Sequence, residues 1–158
     1  MIKSKYFIYL SIIIVFFLVD RISKIYVINL AEGFDYLNIS LTSFLNIILV
    51  WNNGIGFGLF QSDQKIIYNF ITILIFIINL IIIYLLISSD HLHKILFSMI
   101  LGGSFGNLYD RIYYSAVPDF IDINYNGYHW FVFNVADIFI ALGIFLLIFF
   151  EIFKKNEK

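Results

Sequence analysis

The chain has 158 residues, of which 61% are hydrophobic and only 13% are charged, and its mean hydropathy is +0.92. Soluble domains are roughly 45–50% apolar and about 25% charged, so this composition indicates an integral membrane protein. A net charge of −1 without a basic patch argues against a nucleic-acid partner. The sequence contains no cysteine, which excludes a thiol nucleophile and a cysteine-ligated metal. We expect no metal and no cofactor, and chemistry based on carboxylates, amides, hydroxyls or backbone groups.

Four segments are apolar enough to suggest membrane spans, since a helix needs about 20 mostly apolar residues to cross the hydrocarbon core. The predicted spans are residues 6–28, 66–88, 94–112 and 130–151. The fold class that we predict is therefore an all-α integral membrane protein with four transmembrane helices. We treat residues 1–158 as a single domain.

The first predicted span contains an acid and a base, Asp20 and Lys24, one helical turn apart. The carboxylate precedes the amine, which is the favourable order for a pair within a helix. A charge at the bilayer centre costs at least ~2.5–3.5 kcal/mol on insertion scales, so these residues need an explanation. Two interpretations stay open: a structural role, either as a neutralised pair or with the lysine reaching to the outer surface, or a role in substrate binding.

The connector after the first span is rich in Leu, Ile and Phe from Tyr36 to Trp51. This pattern predicts a small amphipathic sheet or interfacial helix at the outer membrane surface, between the first and second helices. The stretch from Asn52 to Gly56 then predicts a turn, because glycine adopts torsions that other residues avoid.

The third predicted span combines small and polar residues. Gly102 and Gly106 have the spacing that lets helix backbones approach closely. Asn107, Asp110 and Arg111 follow on one side of the helix. The favoured interpretation is a packing face followed by a polar cap, in which Arg111 holds carboxylates in place.

The second outer connector and the fourth span each contribute an acid. Asp137 lies inside the predicted span, three residues after Asn134, and no basic residue of that span neutralises it. Intramembrane carboxylates are functional by default, so a partner is expected. Asp119 follows Pro118 in a turn-prone segment and is the main candidate, although a helix cap or a solvated acid would also fit; Asp122 is a weaker candidate. If Asp119 and Asp137 meet, the pair can share one proton and activate water, as in aspartyl proteases.

The distribution of Lys and Arg predicts the orientation. Positive charges lie before the first span, between the second and third, and after the fourth, whereas residues 112–129 have none. The positive-inside rule therefore places both termini in the cytoplasm and both long connectors outside.

Taken together, the motifs resemble the prolipoprotein signal peptidases, or signal peptidase II, which are membrane aspartyl proteases that process bacterial lipoproteins. Five elements of that family occur here in the same order along nearly the whole chain. They are Asp-x-x-x-Lys at Asp20 and Lys24; Asn-x-Gly-x-x-Phe at Asn52, Gly54 and Phe57; Gly-Gly-x-x-Gly-Asn-x-x-Asp-Arg at Gly102, Gly103, Gly106, Asn107, Asp110 and Arg111; Val-x-Asp-Phe at Val117, Asp119 and Phe120; and Phe-Asn-x-Ala-Asp at Phe133, Asn134, Ala136 and Asp137.

The resemblance implies a membrane aspartyl endopeptidase with Asp119 and Asp137 as the catalytic dyad. Its substrates would be diacylglyceryl-modified prolipoproteins, cut just before the lipidated cysteine by dyad-activated water. The implied location is the bacterial cytoplasmic (inner) membrane, with the site near the outer face; lipid-modified prolipoproteins and membrane lipid are the expected partners of a monomer. The residues implied in binding or support are Asn52, Gly54, Asn107, Asp110, Arg111 and Asn134, with Asp20 and Lys24 more remote.

Two positions depart from the family pattern, and two other functions remain as alternatives. Ser115 stands where the family usually has glycine, and Phe131 where it commonly has proline, so the local loop geometry is in question. One alternative is a small transporter or channel subunit in which Asp137 relays protons and the Asp20–Lys24 pair gates. The other is a structural membrane scaffold, which leaves the buried Asp137 unexplained.

Overall fold

The computed structural model describes residues 2–54, 65–125 and 128–155, and these form four helices and one four-stranded sheet. In chain order the elements are α1 (Ile2–Ala31), β1 (Asn38–Ser40), β2 (Leu45–Asn52), α2 (Lys65–Ser88), α3 (His91–Tyr113), β3 (Val117–Tyr125), β4 (Tyr128–Phe133) and α4 (Val135–Lys155). Within this described part, α1, α2 and α4 are long and apolar enough to cross a membrane. The chain is therefore a multi-pass membrane protein.

The helix α3 is the centre of the bundle, because it packs against each of the other three helices. Its glycines permit this: a Cβ on Gly102 would lie 2.7 Å from the Cβ of Phe16 in α1. A Cβ on Gly103 would lie 2.7 Å from the backbone oxygen of Ala136 in α4. The expected small-residue packing face is thus present and serves two neighbours. Because α3 packs on three helices, its Ser98, Ser104, Asp110 and Arg111 are buried rather than exposed to lipid.

The sheet is antiparallel throughout, in the order β1-β2-β3-β4. The strands β1 and β2 confirm a sheet between the first two helices. The strands β3 and β4, between α3 and α4, were not predicted, so the predicted small element accounts for only half of the sheet. Pairing across the two connectors places Val50 opposite Asp119 and Asn52 opposite Val117. The local hydrophobic pattern could not reveal this pairing because the partners are distant in sequence.

The start of the fourth helix was also predicted wrongly. Its apolar run begins at Trp130, but Tyr128–Phe133 forms β4 and α4 begins at Val135. Aromatic and β-branched residues suit a strand as well as a membrane span, so composition did not separate the two. The other predicted spans lie within α1, α2 and α3.

Two local features position β3, the strand that contains Asp119. Phe120 packs in a buried cluster with Val27 of α1 and Leu37, which anchors the strand to the end of α1. Ser115, in the link from α3 to β3, has a positive φ of 58°. That conformation favours glycine, which is the usual residue of the family at this position. The chain therefore keeps the turn despite the departure from the pattern.

Candidate active site

Two acids from different elements line one cavity of about 550 Å³. Asp119 lies in β3, and Asp137 lies in the first turn of α4. Asn134 contacts both: its Nδ2 donates to Asp119 Oδ1 at 2.6 Å, and its backbone N–H donates to Asp137 Oδ2 at 3.2 Å. The structure thus brings together the two acids that the sequence analysis paired, with Asn134 between them.

Asn134 and Asp137 also form the N-terminal cap of α4. The Asp137 backbone N–H donates to Asn134 Oδ1 at 3.1 Å, while the Asp137 carboxylate accepts the Asn134 backbone N–H. This reciprocal arrangement is a capping box, in which Asn and Asp take the places of the usual Ser/Thr and Glu. Asp137 is consequently fixed by the start of the helix itself, and its negative charge is favourable at a helix N-terminus.

Three asparagine amides present their N–H groups to the acid pair. Besides Asn134, Asn52 Nδ2 donates to Asp119 Oδ2 at 2.8 Å, and Asn107 Nδ2 donates to Asp137 Oδ1 at 2.8 Å. Each of the four carboxylate oxygens therefore accepts one hydrogen bond. The side chain of Asn52 is itself held by the Gly54 backbone N–H, which donates to its Oδ1 at 2.8 Å.

Burial is the main influence on the protonation of Asp119. Burial, together with the nearby negative charge of Asp137, raises the pKa of this carboxyl from 3.8 to about 7. The N–H donors of Asn52 and Asn134 act in the opposite direction, because they stabilise the ionised form. Near neutral pH, Asp119 is therefore able to hold a proton beside the second acid.

A network of buried charges lies behind Asn107. Lys24 and Asp20 are fully buried, and the Lys24 ammonium lies 2.8 Å from Asp20 Oδ2 and 2.7 Å from Asp110 Oδ2. Arg21 also forms an ion pair with Asp110. The pairing of Asp20 with Lys24 is confirmed, but the lysine does not reach to the outer surface. A Cβ on Gly106 would clash with the Asp20 carboxylate, so glycine is required there.

Arg111 has a different role from the one predicted. It was expected to hold carboxylates, but its Nη2 donates to the backbone oxygen of Gly54. Its Nε and Nη1 are buried without a hydrogen-bond partner among the described residues, and the side chain lines the cavity. Tyr68 of α2 donates its hydroxyl to the Arg111 backbone oxygen at 2.8 Å. Arg111 thus lines the cavity with a side chain of which two nitrogens lack a partner in the part of the chain that the structure describes.

Below the acids, the cavity wall is apolar. Along α4, the residues that line the cavity recur every three or four positions from Asp137, so they lie on one face of the helix. The apolar lining residues are Ile75, Val117, Ile140, Ala141, Ile144, Phe145 and Ile148. The stretch from Asp137 to Ile148 corresponds to roughly 17 Å along the helix axis, which leaves room for an extended apolar group beside the acids.

Asp122, the weaker candidate, belongs to another cluster. Its carboxylate is fully buried and lies 2.8 Å from His129 Nδ1, and it accepts a hydrogen bond from Asn46 at 3.2 Å. It does not line the cavity of Asp119 and Asp137. Over the described ranges, no group of three or more His, Cys, Asp or Glu side chains is arranged to hold a metal. Phe57 and Gly56 lie outside the described residues.

Two contributors to the site were missed by the sequence reasoning. Arg21 and Tyr68 fall outside the recognised motifs, although an arginine next to Asp20 in an apolar span was a usable signal. The Asn-x-x-Asp spacing of Asn134 and Asp137 was also a signal, because it marks a helix start just before an apolar run. It would have moved the predicted start of the last helix to the correct position.

The fold and the site define a class of protein: a membrane enzyme whose cavity carries two carboxylates joined through one asparagine. Aspartic peptidases use such pairs to activate water.

Comparison with known proteins identifies the family. The family model described as signal peptidase (SPase) II matches residues 12–153. The lipoprotein signal peptidase of Pelagibacter ubique (strain HTCC1062) is 52% identical over 155 residues, covering 98% of this chain and 93% of that protein. The lipoprotein signal peptidase of Aquifex aeolicus (strain VF5) is 37% identical, with coverages of 97% and 90%. The chain belongs to the signal peptidase II family and is an aspartic-type peptidase.

A solved structure agrees with this assignment. A bacterial membrane enzyme determined by the in meso method at 2.3 Å resolution superimposes with a TM-score of 0.75 and 26% identity. The match covers 95% of this chain and 90% of that one. Membership of a peptidase family sets aside the transporter and scaffold alternatives.

Proposed function

We propose that this peptidase removes the signal peptide of diacylglyceryl-modified prolipoproteins by cutting just before the lipidated cysteine. The observation that carries the proposal is the pair of carboxylates, Asp119 and Asp137, joined by Asn134 on one cavity. Family membership supports the reaction, and the names of its relatives supply the class of substrate.

In the proposed mechanism, the pair holds one proton near neutral pH. The ionised carboxylate takes a proton from water as the water oxygen attacks the scissile carbonyl carbon. The protonated carboxyl donates its proton to the carbonyl oxygen, and a proton then passes to the leaving nitrogen as the C–N bond breaks. The two acids titrate as a pair, so the proposal leaves open which of them is protonated and which is the base. No covalent intermediate is required.

The rest of the cavity suits an extended lipidated substrate. Arg111 Nε and Nη1, which have no hydrogen-bond partner within residues 2–54, 65–125 and 128–155, can donate to substrate carbonyl oxygens, as buried donors need partners. The apolar face of α4 can receive acyl chains or the apolar part of the signal helix. Both catalytic acids come from one chain, so the enzyme is expected to work as a monomer.

The proposed topology has four spans in the bacterial inner membrane, with both termini in the cytoplasm. The clustering of Lys and Arg supports this orientation. The polar α3 can cross the bilayer because its charged residues are covered by the other helices. The acids then lie near the outer face, where the cleavage site of a translocated precursor would be.

Cleavage of a purified lipidated precursor by the reconstituted enzyme tests the function. Asp119→Asn and Asp137→Asn should each lower kcat by at least about 10²- to 10⁴-fold, the usual contribution of general acid–base catalysis. The same precursor without its diacylglyceryl group should be cut poorly.

The matched control is Asp122→Asn, which alters a buried acid on the same strand as Asp119 but outside the cavity. It should retain cleavage per folded molecule. If either dyad variant remained active while folded, that residue would be removed from the dyad and the proposed mechanism would fail.

A further inference from the structure

Lys24 of α1 is a buried cation that contacts polar and charged side chains of both α1 and α3. Its side chain is fully buried, and its Nζ contacts three acceptors: Asp20 Oδ2 at 2.8 Å, Asp110 Oδ2 at 2.7 Å and Asn107 Oδ1 at 2.7 Å. Nζ donates hydrogen bonds to Asp20 Oδ2 and Asn107 Oδ1, and its contact with Asp110 is an ion pair. The third contact connects α1 to the amide that touches Asp137.

This contact determines which way the Asn107 amide faces. An asparagine side chain has a donor end and an acceptor end, and only its hydrogen-bond partners distinguish the two orientations. The Lys24 ammonium can only donate, so the Asn107 oxygen must face it. The Asn107 NH₂ group is then turned to the Asp137 carboxylate, to which Nδ2 donates at 2.8 Å. In the flipped orientation, the Asn107 NH₂ group would face the Lys24 ammonium, and the Asn107 oxygen would face the Asp137 carboxylate.

The other two amides at the acid pair are oriented in the same way but by the backbone. The Gly54 N–H donates to Asn52 Oδ1, and the Asp137 N–H donates to Asn134 Oδ1. Asn107 lies within α3, so its oxygen needs a donor from elsewhere, and Lys24 supplies it. Asp20 and Asp110 neutralise the ammonium and keep it in place, and Asp20 Oδ1 also accepts the Ala136 N–H at the start of α4.

We propose that Lys24 is a positioning residue of the peptidase: it holds the Asn107 amide so that Nδ2 donates to Asp137. Lys24 is not a catalytic residue, because its ammonium contacts Asp20, Asp110 and Asn107 and the residue does not line the cavity of the acid pair. The proposal rests on the proposed role of Asp137 and adds that the charged cluster in α1 acts on the acid pair through one amide. It predicts an effect on turnover rather than on substrate affinity.

A double-mutant cycle on kcat tests this role. Lys24→Met should lower kcat about 10- to 100-fold with KM nearly unchanged, since small errors in positioning a catalytic group have effects of this size. In an Asn107→Ala background, the same Lys24→Met change should lower kcat less than about threefold, because the amide through which it acts is absent. Equal factors in the two backgrounds would overturn the proposal.

Arg21→Met is the matched control, because it removes a cation from the same cluster without touching Asn107. It should change kcat by the same factor in the unchanged enzyme and in the Asn107→Ala background. If it couples to Asn107 as strongly as Lys24→Met does, the cluster acts as a general support and the specific role of Lys24 is wrong.

Removing Lys24 alone leaves two buried acids with one cation, so a charge-balanced variant is also needed. Asp20→Asn/Lys24→Met removes both members of one pair and leaves the Arg21–Asp110 pair in place. This variant should fold, should lose kcat by a similar factor, and should show the same dependence on Asn107. Wild-type kcat in the folded charge-balanced variant would overturn the proposal. By contrast, a folded Asp137→Asn variant that still cleaved the precursor would contradict the proposed function and not the role of Lys24.

Discussion

At the scale of single residues, the acid pair is controlled by amides rather than by neighbouring cations. Asn52, Asn107 and Asn134 give each carboxylate two N–H donors, and Arg111 directs its bonded nitrogen to a backbone oxygen instead. Neutral donors stabilise a negative charge without adding a positive one, so they do not force both acids to ionise. A pair that shares one proton is compatible with this environment.

This environment predicts the alkaline limit of activity. The active pair has one proton, and the pKa of Asp119 is about 7, so kcat/KM should fall as pH rises above about 7 and the proton is lost. Asn52→Ala removes a hydrogen-bond donor that lowers the pKa of Asp119. The alkaline limb of the kcat/KM profile should therefore move to higher pH. The pH profile of precursor cleavage measures both effects.

Asn46→Ala is the control for that experiment, because Asn46 is on the same strand but bonds to Asp122. It should leave the alkaline limb where it is in the unchanged enzyme. A profile that stays flat up to about pH 9, or a limb that moves to lower pH in Asn52→Ala, would contradict the assignment of this limb to Asp119.

At the scale of elements, α4 has two functional parts. Its first turn supplies Asp137, and the face below it lines the apolar cavity at Ile140, Ile144 and Ile148. Ile144→Trp should fill part of that space and raise KM about tenfold or more, since overpacking costs about 1–3 kcal/mol. Steady-state cleavage of the lipidated precursor provides the measurement.

Leu142 is the matched position for this test, because it lies on another face of α4 and is 46% exposed. Leu142→Trp should leave KM close to that of the unchanged enzyme. If both substitutions had the same effect, the apolar face would have no special role in substrate binding.

The elements also show how far the sequence could be interpreted. Long apolar runs predicted α1, α2 and most of α4, because lipid requires continuous apolar length. The strands β3 and β4 were missed, since β3 pairs with β2 and with β4 through contacts that leave no local signature. The position of Asp119 depends on that pairing.

For the site, the acids themselves were predictable but their connections were not. An acid in an apolar span, such as Asp137, is conspicuous in a sequence. The contact of Lys24 with Asn107 joins residues 83 positions apart, and it depends on how closely α1 approaches α3 at Gly106. Which amide faces which carboxylate is a property of three-dimensional packing.

At the scale of the whole molecule, the proposed topology can be tested because the sequence has no cysteine. Single cysteines at Ser43 in the first outer connector and at Tyr125 on β3 should react with a membrane-impermeant maleimide in intact cells. A cysteine at Ser88, the last residue of α2, should react only once the membrane is opened. Labelling of Ser88→Cys and Tyr125→Cys from the same side would show that α3 does not cross the bilayer.

The polar character of α3 also bears on biogenesis. On the four-span topology, this helix brings Asp110 and Arg111 into a lipid phase that resists charge, so it partitions poorly by itself. Asp110 is compensated by two cations, Arg21 and Lys24. Both belong to α1, which is synthesised earlier. Stable integration of α3 therefore depends on α1 staying in the bilayer until translation of the third helix is finished.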